Sequence, residues 1–545
     1  MLIHGALKHQ TRPIWAVALG LVLLALGICT GHAATILVTN TSDNGGGSLR
    51  AALAASTNGD IIDLTGITGT ITLTTGELLV TNDVKILGPG PDKLAVDGNF
   101  PNTANRVFRV LKDATNGINV TLSGLTISNG NASFGGGIQN YRSALTISNC
   151  VISGNQATFG AGGILSSSGY SGTATLTIIN SALHRNFGGD VGGAIYQDGQ
   201  DGVATLVLIN STISSNWVGT VGGAGIKNDG SPTGNAIAFI TNCTFIGNSA
   251  AGRGGAIQND GVGGSVSLTV VNTTFIGNSA GASDYGGAIF NDGTSRGHAD
   301  ATFINTTFSG NSAFLGGAIC DSFLFGTGNM PLTLMSCTFK DNLSTNGGSI
   351  YNLDKLTIGN TILSVGISGT NISGSTNVIS MGYNLSSDSA NGVLTNVTDQ
   401  INTDPLLDAL QNNGGPVLTH APLPGSPAID RGKNLSEAII DARGFPRMFD
   451  DPAVLNASGG DGTDIGAFET FELRITAIEK FDELLGISFT SLPGKTYELQ
   501  SRSDLNSPTW IPLPGSYPGN GAIAQINLTN SPGQPQQYYR VHQLP

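Results

Sequence analysis

Charge is scarce in this chain. Only 11% of its 545 residues are charged, and 24 Lys and Arg stand against 37 Asp and Glu, for a net charge of −13. Few Lys, Arg and Glu means few long helix formers, which argues against a helical bundle. Basic groups that are few and dispersed argue against nucleic-acid binding by phosphate neutralisation. Aromatics make up only 6%, yet 39% of residues are apolar, enough for a sizeable core and too much for a disordered chain. No run beyond residue 28 is long and apolar enough to span a bilayer. What the chain has in excess is glycine, 79 residues, roughly twice the usual share. An elongated all-β protein fits this balance.

The first 33 residues stand apart. Lys8 and Arg12 precede an apolar run from Ile14 to Ile28 that ends in Gly31-His32-Ala33, a secretory signal pattern with cleavage expected after Ala33. Bulky Ile28 before Cys29 argues against lipoprotein processing. The expected mature protein is therefore secreted, extracellular or held at the outer cell surface, with no transmembrane segment left.

Internal repeats dominate the rest. A Gly-Gly-x-Ile motif or close variant places Ile at 138, 164, 195, 226, 257, 289, 319 and 350, mostly 31 residues apart. Out of phase with it runs an alternating strand ending in Asn, followed by an apolar-x-x-Asn step, as in Leu176 to Asn180 and Leu183 to Asn186. Period-two alternation in segments such as Leu206-Val-Leu-Ile marks strands with one buried face. Strands recurring every 31 residues stack like on like, each coil about 4.8 Å from the next. The expected fold is all-β, a right-handed parallel β-helix of about 31 residues per coil, with an aliphatic Ile ladder inside. Asn149, Asn180, Asn210, Asn242, Asn272 and Asn305 share one repeat position, and Asn155, Asn186, Asn216, Asn248, Asn278, Asn311 and Asn342 another. Both series read as stacked Asn ladders at turns, where Asn tolerates left-handed backbone. Cys150, Cys243 and Cys337 lie three coils apart, too far to bridge, so free thiols are expected.

Gly-Gly-Ala-Ile at 192–195, 254–257, 286–289 and 316–319, with Phe-x-x-Asn at 245–248, 275–278, 308–311 and 339–342, resembles the repeat of polymorphic outer-membrane proteins, which are β-helical surface adhesins. Val38-Thr-Asn-Thr, Gly47-Ser-Leu-Arg-Ala-Ala and Ile86-Leu-Gly-Pro-Gly are similar to the N-terminal cap of secreted bacterial right-handed β-helix proteins. Leu423-Pro-Gly-Ser-Pro-Ala-Ile-Asp430, Arg443-Gly-Phe-Pro-Arg447 and Asp464-Ile-Gly-Ala-Phe-Glu469 resemble the terminal module of choice-of-anchor Q proteins. The resemblance implies fold and secretion rather than an activity. The expected organisation is a signal peptide at 1–33, an N-terminal cap and first coils at 34–115, β-helix repeats at 116–398, a choice-of-anchor Q-like module at 399–470 and a small β-sandwich at 471–545.

Catalytic chemistry is hard to find in these repeats. Between residues 120 and 360 Glu is absent and the seven basic residues, Arg142, Arg185, Lys227, Arg253, Arg296, Lys340 and Lys355, fall near turns of different repeats, where they read as solvated. A lyase needs a clustered Lys or Arg beside carboxylates, and an inverting glycosidase needs paired carboxylates. No catalytic or cofactor-binding residue is assigned. His420, Ser426 and Asp430 share a Pro-rich segment without the surroundings of a nucleophile. Asp450, Asp451, Asp461, Asp464 and Glu469 form an acidic cluster. The one ligand set assigned is Asp198, Asp229, Asp260 and Asp292, which follow the Ile ladder in Gln/Asn-Asp-Gly turns. Stacked carboxylates repel, and Ca²⁺ is the cation expected between them. The functional expectation is non-enzymatic adhesion or binding of surface glycans on a host or neighbouring cell, with a polysaccharide lyase or glycoside hydrolase acting on acidic polysaccharide, or a structural spacer, as alternatives.

Overall fold

A computed structural model describes residues 33–544 apart from 112, 114–115, 322–327, 367, 375–376, 452, 482–483, 493, 520–522 and 530–536. The expected signal segment thus lies outside the described residues except for Ala33. From Thr35 onward the chain winds as a parallel β-solenoid whose walls are three long sheets of thirteen, twelve and eleven strands. Consecutive coils pair in strict register, with Ile195 against Ile226, Ile226 against Ile257 and Ile257 against Ile289. All eight Ile of the Gly-Gly-x-Ile motif are fully buried.

Why the motif needs its glycines is visible at Gly254 and Gly255. Gly254 has φ of +60°, and a Cβ on Gly255 would stand 2.2 Å from the carbonyl oxygen of Gly287 in the next coil. The same close stacking aligns Phe245, Phe275, Phe308 and Phe339 inside the tube, with ring centroids 4.8, 5.0 and 4.6 Å apart.

The two Asn series act differently. Asn149, Asn180, Asn210, Asn242, Asn272 and Asn305 take left-handed backbone, with φ between 49° and 55°. The second series is buried, and each amide there bonds the next. Asn216 Nδ2 donates to Asn248 Oδ1 at 2.9 Å and Asn248 Nδ2 to Asn278 Oδ1 at 2.9 Å, while the same oxygens accept the backbone N–H of the preceding Asn. Every side-chain amide in the stack therefore has a partner. Cys150, Cys243, Cys320 and Cys337 are free and buried.

At the N-terminal end a helix, Leu49–Ala55, is capped by the Ser48 hydroxyl and buries Leu49, Ala52 and Leu53. Beyond the last coil the chain from about residue 399 turns back along the flank of the solenoid. Among the described residues it forms no strand until Ile475. Thr274 Oγ1 donates to Leu418 O at 2.7 Å, Asn305 Nδ2 to Ile440 O at 2.8 Å, Asn360 Nδ2 to Asp464 O at 3.0 Å, and Ala467 N to Thr338 Oγ1 at 2.9 Å. From Ile475 two antiparallel sheets follow, around a core of Ile487, Phe489, Tyr497, Leu499 and Ile526.

Candidate functional site

The outward face of the eleven-stranded sheet carries two parallel rows. Tyr196, Lys227, Gln258 and Phe290 are register partners in one, and Asp198, Asp229, Asp260 and Asp292 in the other. Period two puts both rows outside, because Ile195 and Gln197, which alternate with Tyr196 and Asp198 along the strand, point inward. The carboxylates are therefore stacked as their spacing implies.

Each of these Asp residues divides its two oxygens between two tasks. One oxygen closes the following turn: Asp198 Oδ1 accepts from Gln200 N at 3.0 Å, Asp229 Oδ1 from Ser231 N at 2.9 Å, Asp260 Oδ1 from Val262 N at 3.2 Å and Asp292 Oδ1 from Thr294 N at 3.0 Å. The other oxygen meets a side chain. Ser167 Oγ donates to Asp198 Oδ2 at 2.8 Å, Tyr196 Oη to Asp229 Oδ2 at 3.2 Å, and Gln258 Nε2 to Asp260 Oδ2 at 3.2 Å. Lys227 forms an ion pair with Asp260 and lies 4.0 Å from Asp229, and Arg253 lies 3.9 Å from both Asp284 and Asp292. Repulsion among Asp229, Asp260 and Asp292 is met by these two cations of the chain itself, whereas Asp198 has only the Ser167 hydroxyl and a backbone N–H. Among the described residues no group of three His, Cys, Asp or Glu is placed to hold a metal ion.

Arg142, Lys227 and Arg253 depart from the solvated reading, Arg142 by donating to Ser168 O on the next coil at 3.1 Å. Lys227 sits within the strand Ile226–Asp229 and is only 3% exposed. The guanidinium of Arg253 stacks over the rings of Tyr285 and Phe290, at 5.6 and 5.3 Å from their centroids. Both sit near turns in sequence, but the cross-coil carboxylates that hold them are a full repeat away. Burial favours loss of the Lys227 proton, yet Asp260 and Asp229 beside it outweigh that and hold its pKa above the ordinary lysine value. Burial raises Asp198 and Asp292, and raises the Tyr196 phenol well above its usual range with Asp229 adding to the effect.

The other sequence candidates fall apart as sites. His420 Nε2 lies 3.0 Å from Ser309 Oγ on the solenoid and its Nδ1 2.8 Å from Asp408 O, while Ser426 Oγ donates to Pro405 O at 2.6 Å. Asp430 instead accepts from Asp451 N, so the three residues form no triad. In the acidic cluster the carboxylates cap backbone in place of regular structure. Asp464 accepts from Asp430 N and Thr470 N, Glu469 from Phe449 N and Asp464 N, and Asp461 from Asn434 N and Thr463 N. Burial, with Asp464 beside it, pushes Asp430 up to about 7.

One surface feature went unread in the sequence. A five-stranded ribbon, with strands at 131–132, 156–157, 187–188, 217–218 and 249–250, forms an outer edge of the solenoid. Phe134, Phe159 and Trp217 are exposed along it, Phe134 against Phe159 with centroids 5.7 Å apart and Phe187 stacked on Trp217 at 4.4 Å. Single aromatics in four separate repeats carry no motif of their own, so only the coil stacking reveals the group.

Residues 242–260 and 272–292 match the Chlamydia polymorphic membrane protein repeat. No curated protein matches the chain. Fold and repeat together define a parallel β-helix protein with polymorphic membrane protein-like repeats. The repeat ties the chain to proteins associated with the cell surface or outer membrane.

Proposed function

We propose that this is a non-enzymatic surface protein whose β-helix binds glycans of a host or neighbouring cell. The observation that carries the reading is the aromatic edge on four successive coils, with Phe134, Phe159 and Trp217 exposed and Phe187 stacked against Trp217. Grouped exposed aromatics on a rigid scaffold mark a binding surface, since ring faces and edges take the apolar C–H patches of sugars. A rod of stacked coils presents such an edge at fixed spacing without ordering cost.

One observation favours a second reading, an enzyme acting on acidic polysaccharide: Lys227 does stand beside Asp229 and Asp260. Its ammonium, however, is buried and engaged in ion pairs, so it lacks the free, deprotonated amine that proton abstraction needs. A glycan array probed with the mature protein, run beside a lyase assay on polyuronate, tests both. Retention of glycans without unsaturated products is expected. Unsaturated product formation, lost on Lys227→Met, would replace the binding reading with the enzymatic one.

A further inference from the structure

The outer ribbon changes character at Trp217. Register places Gln156, Phe187, Trp217 and Ser249 in one row, continued by Ser279, Ser312 and Leu343. The neighbouring row, Val218 and Ala250, is buried, so this row faces outward. Trp217 is 51% exposed and is backed on one side by Phe187, whose ring lies 25° from parallel to the indole. On its other side stands Ser249, with a side chain too short to cover an indole face. Ser279 Oγ donates to Ser249 Oγ at 3.0 Å, and Ser312 follows one coil further. An aromatic wall therefore drops to a floor of three hydroxyls, spaced about 4.8 Å per coil and followed in the row by the exposed Leu343.

We propose that this step is a subsite for neutral hexose units of a glycan, with Trp217 as the stacking residue and Ser249 and Ser279 as hydroxyl partners. The proposal rests on the glycan-binding reading above and assigns it a place and a ligand class. A pyranose offers an apolar C–H face and a rim of hydroxyls. The open indole face takes the first, and serine hydroxyls, each a donor and an acceptor, take the second. A flat apolar partner, such as a second copy of the chain, would bury those hydroxyls without matching them. Anionic glycans are disfavoured because the floor has no cation and the chain has an acidic excess of 13 charges.

Cellohexaose and mannohexaose serve as neutral probes and polygalacturonate as the anionic one, with binding to the mature protein followed by calorimetry. The expected result is binding of a neutral probe that weakens about tenfold or more in Trp217→Ala, weakens less in Ser249→Ala/Ser279→Ala, and is largely kept in Trp217→Phe. Unchanged melting temperatures would show that these surface variants fold. Neutral-glycan binding that survives Trp217→Ala overturns the subsite and leaves the glycan reading standing, as does preference for polygalacturonate. Self-association abolished by Trp217→Ala makes the edge a contact between copies and overturns the subsite. Binding of no probe in this set, together with an empty glycan array, overturns both.

Discussion

Lys227 reaches across one coil to pair with Asp260 while remaining 4.0 Å from Asp229 on its own strand, so a single buried ammonium serves two stacked carboxylates. Removing it leaves both carboxylates buried without a cation. Lys227→Met should destabilise the protein by about 3–5 kcal/mol at neutral pH. The calcium expectation for Asp198, Asp229, Asp260 and Asp292 is put to the same measurement. With Lys227 and Arg253 in place, wild-type melting should be equal in Ca²⁺ and in chelator. A calcium-dependent rise in the wild type would return a divalent ion to the row.

Asp321 occupies an inward row between the amides of Gln197, Asn228, Asn259 and Asn291 on one side and Asn352 on the other. Asn228 donates to Asn259 and Asn259 to Asn291, each at 2.7 Å, and Asn291 Nδ2 donates to Asp321 Oδ1 at 2.9 Å. Its other oxygen and Asn352 Oδ1, on the next coil's register partner, are buried without a hydrogen-bond partner among the described residues. A proton on Asp321 lets it donate toward Asn352 and continue the ladder. Burial accordingly raises its pKa well above the carboxylate range. An acid with a raised folded pKa binds its proton more tightly in the native state, so its contribution is complete at acid pH and is lost as pH rises above the unfolded value. Asp321→Asn should therefore match the wild type near pH 4 and exceed it in stability at pH 7 and above. Denaturant unfolding across that range checks it, and a variant less stable at pH 8 would contradict the protonated ladder.

The thiols give a third expectation. Burial pushes Cys150 up to about 11 and Cys243 and Cys337 up to about 12, against the pull of nearby backbone groups. Their thiolates are scarce at pH 8 and shielded. Native protein should leave these three thiols unmodified by iodoacetamide, and denatured protein should expose them, as read by peptide mass mapping. Rapid native labelling of Cys243 would contradict its place inside the coil.

Much of the fold was legible because a solenoid repeats its physics. Ile226 and Asn248 each stand for a row, and a row shows in the sequence as a period. The Gly254-Gly255 pair could be read for the same reason. What depended on contact between coils could not be read. Lys227 looked like a turn residue because Asp260, which holds it, is 33 residues away. Trp217 looked solitary because Phe187 and Ser249 become its neighbours only through stacking. The flank-hugging path after residue 399 has no period at all. Its anchors are single bonds, such as His420 to Ser309, that no spacing rule announces.

Binding without cleavage is the center of the functional account, and both halves can be read on one sample. A neutral hexaose retained by the mature protein is eluted and weighed by mass spectrometry. The account predicts retention by the wild type, loss of retention in Trp217→Ala, and recovery of the hexaose at its original mass. Recovery of shortened or unsaturated products, or no retention by the wild type, would contradict it, while equal retention by the two proteins would remove Trp217 from the site.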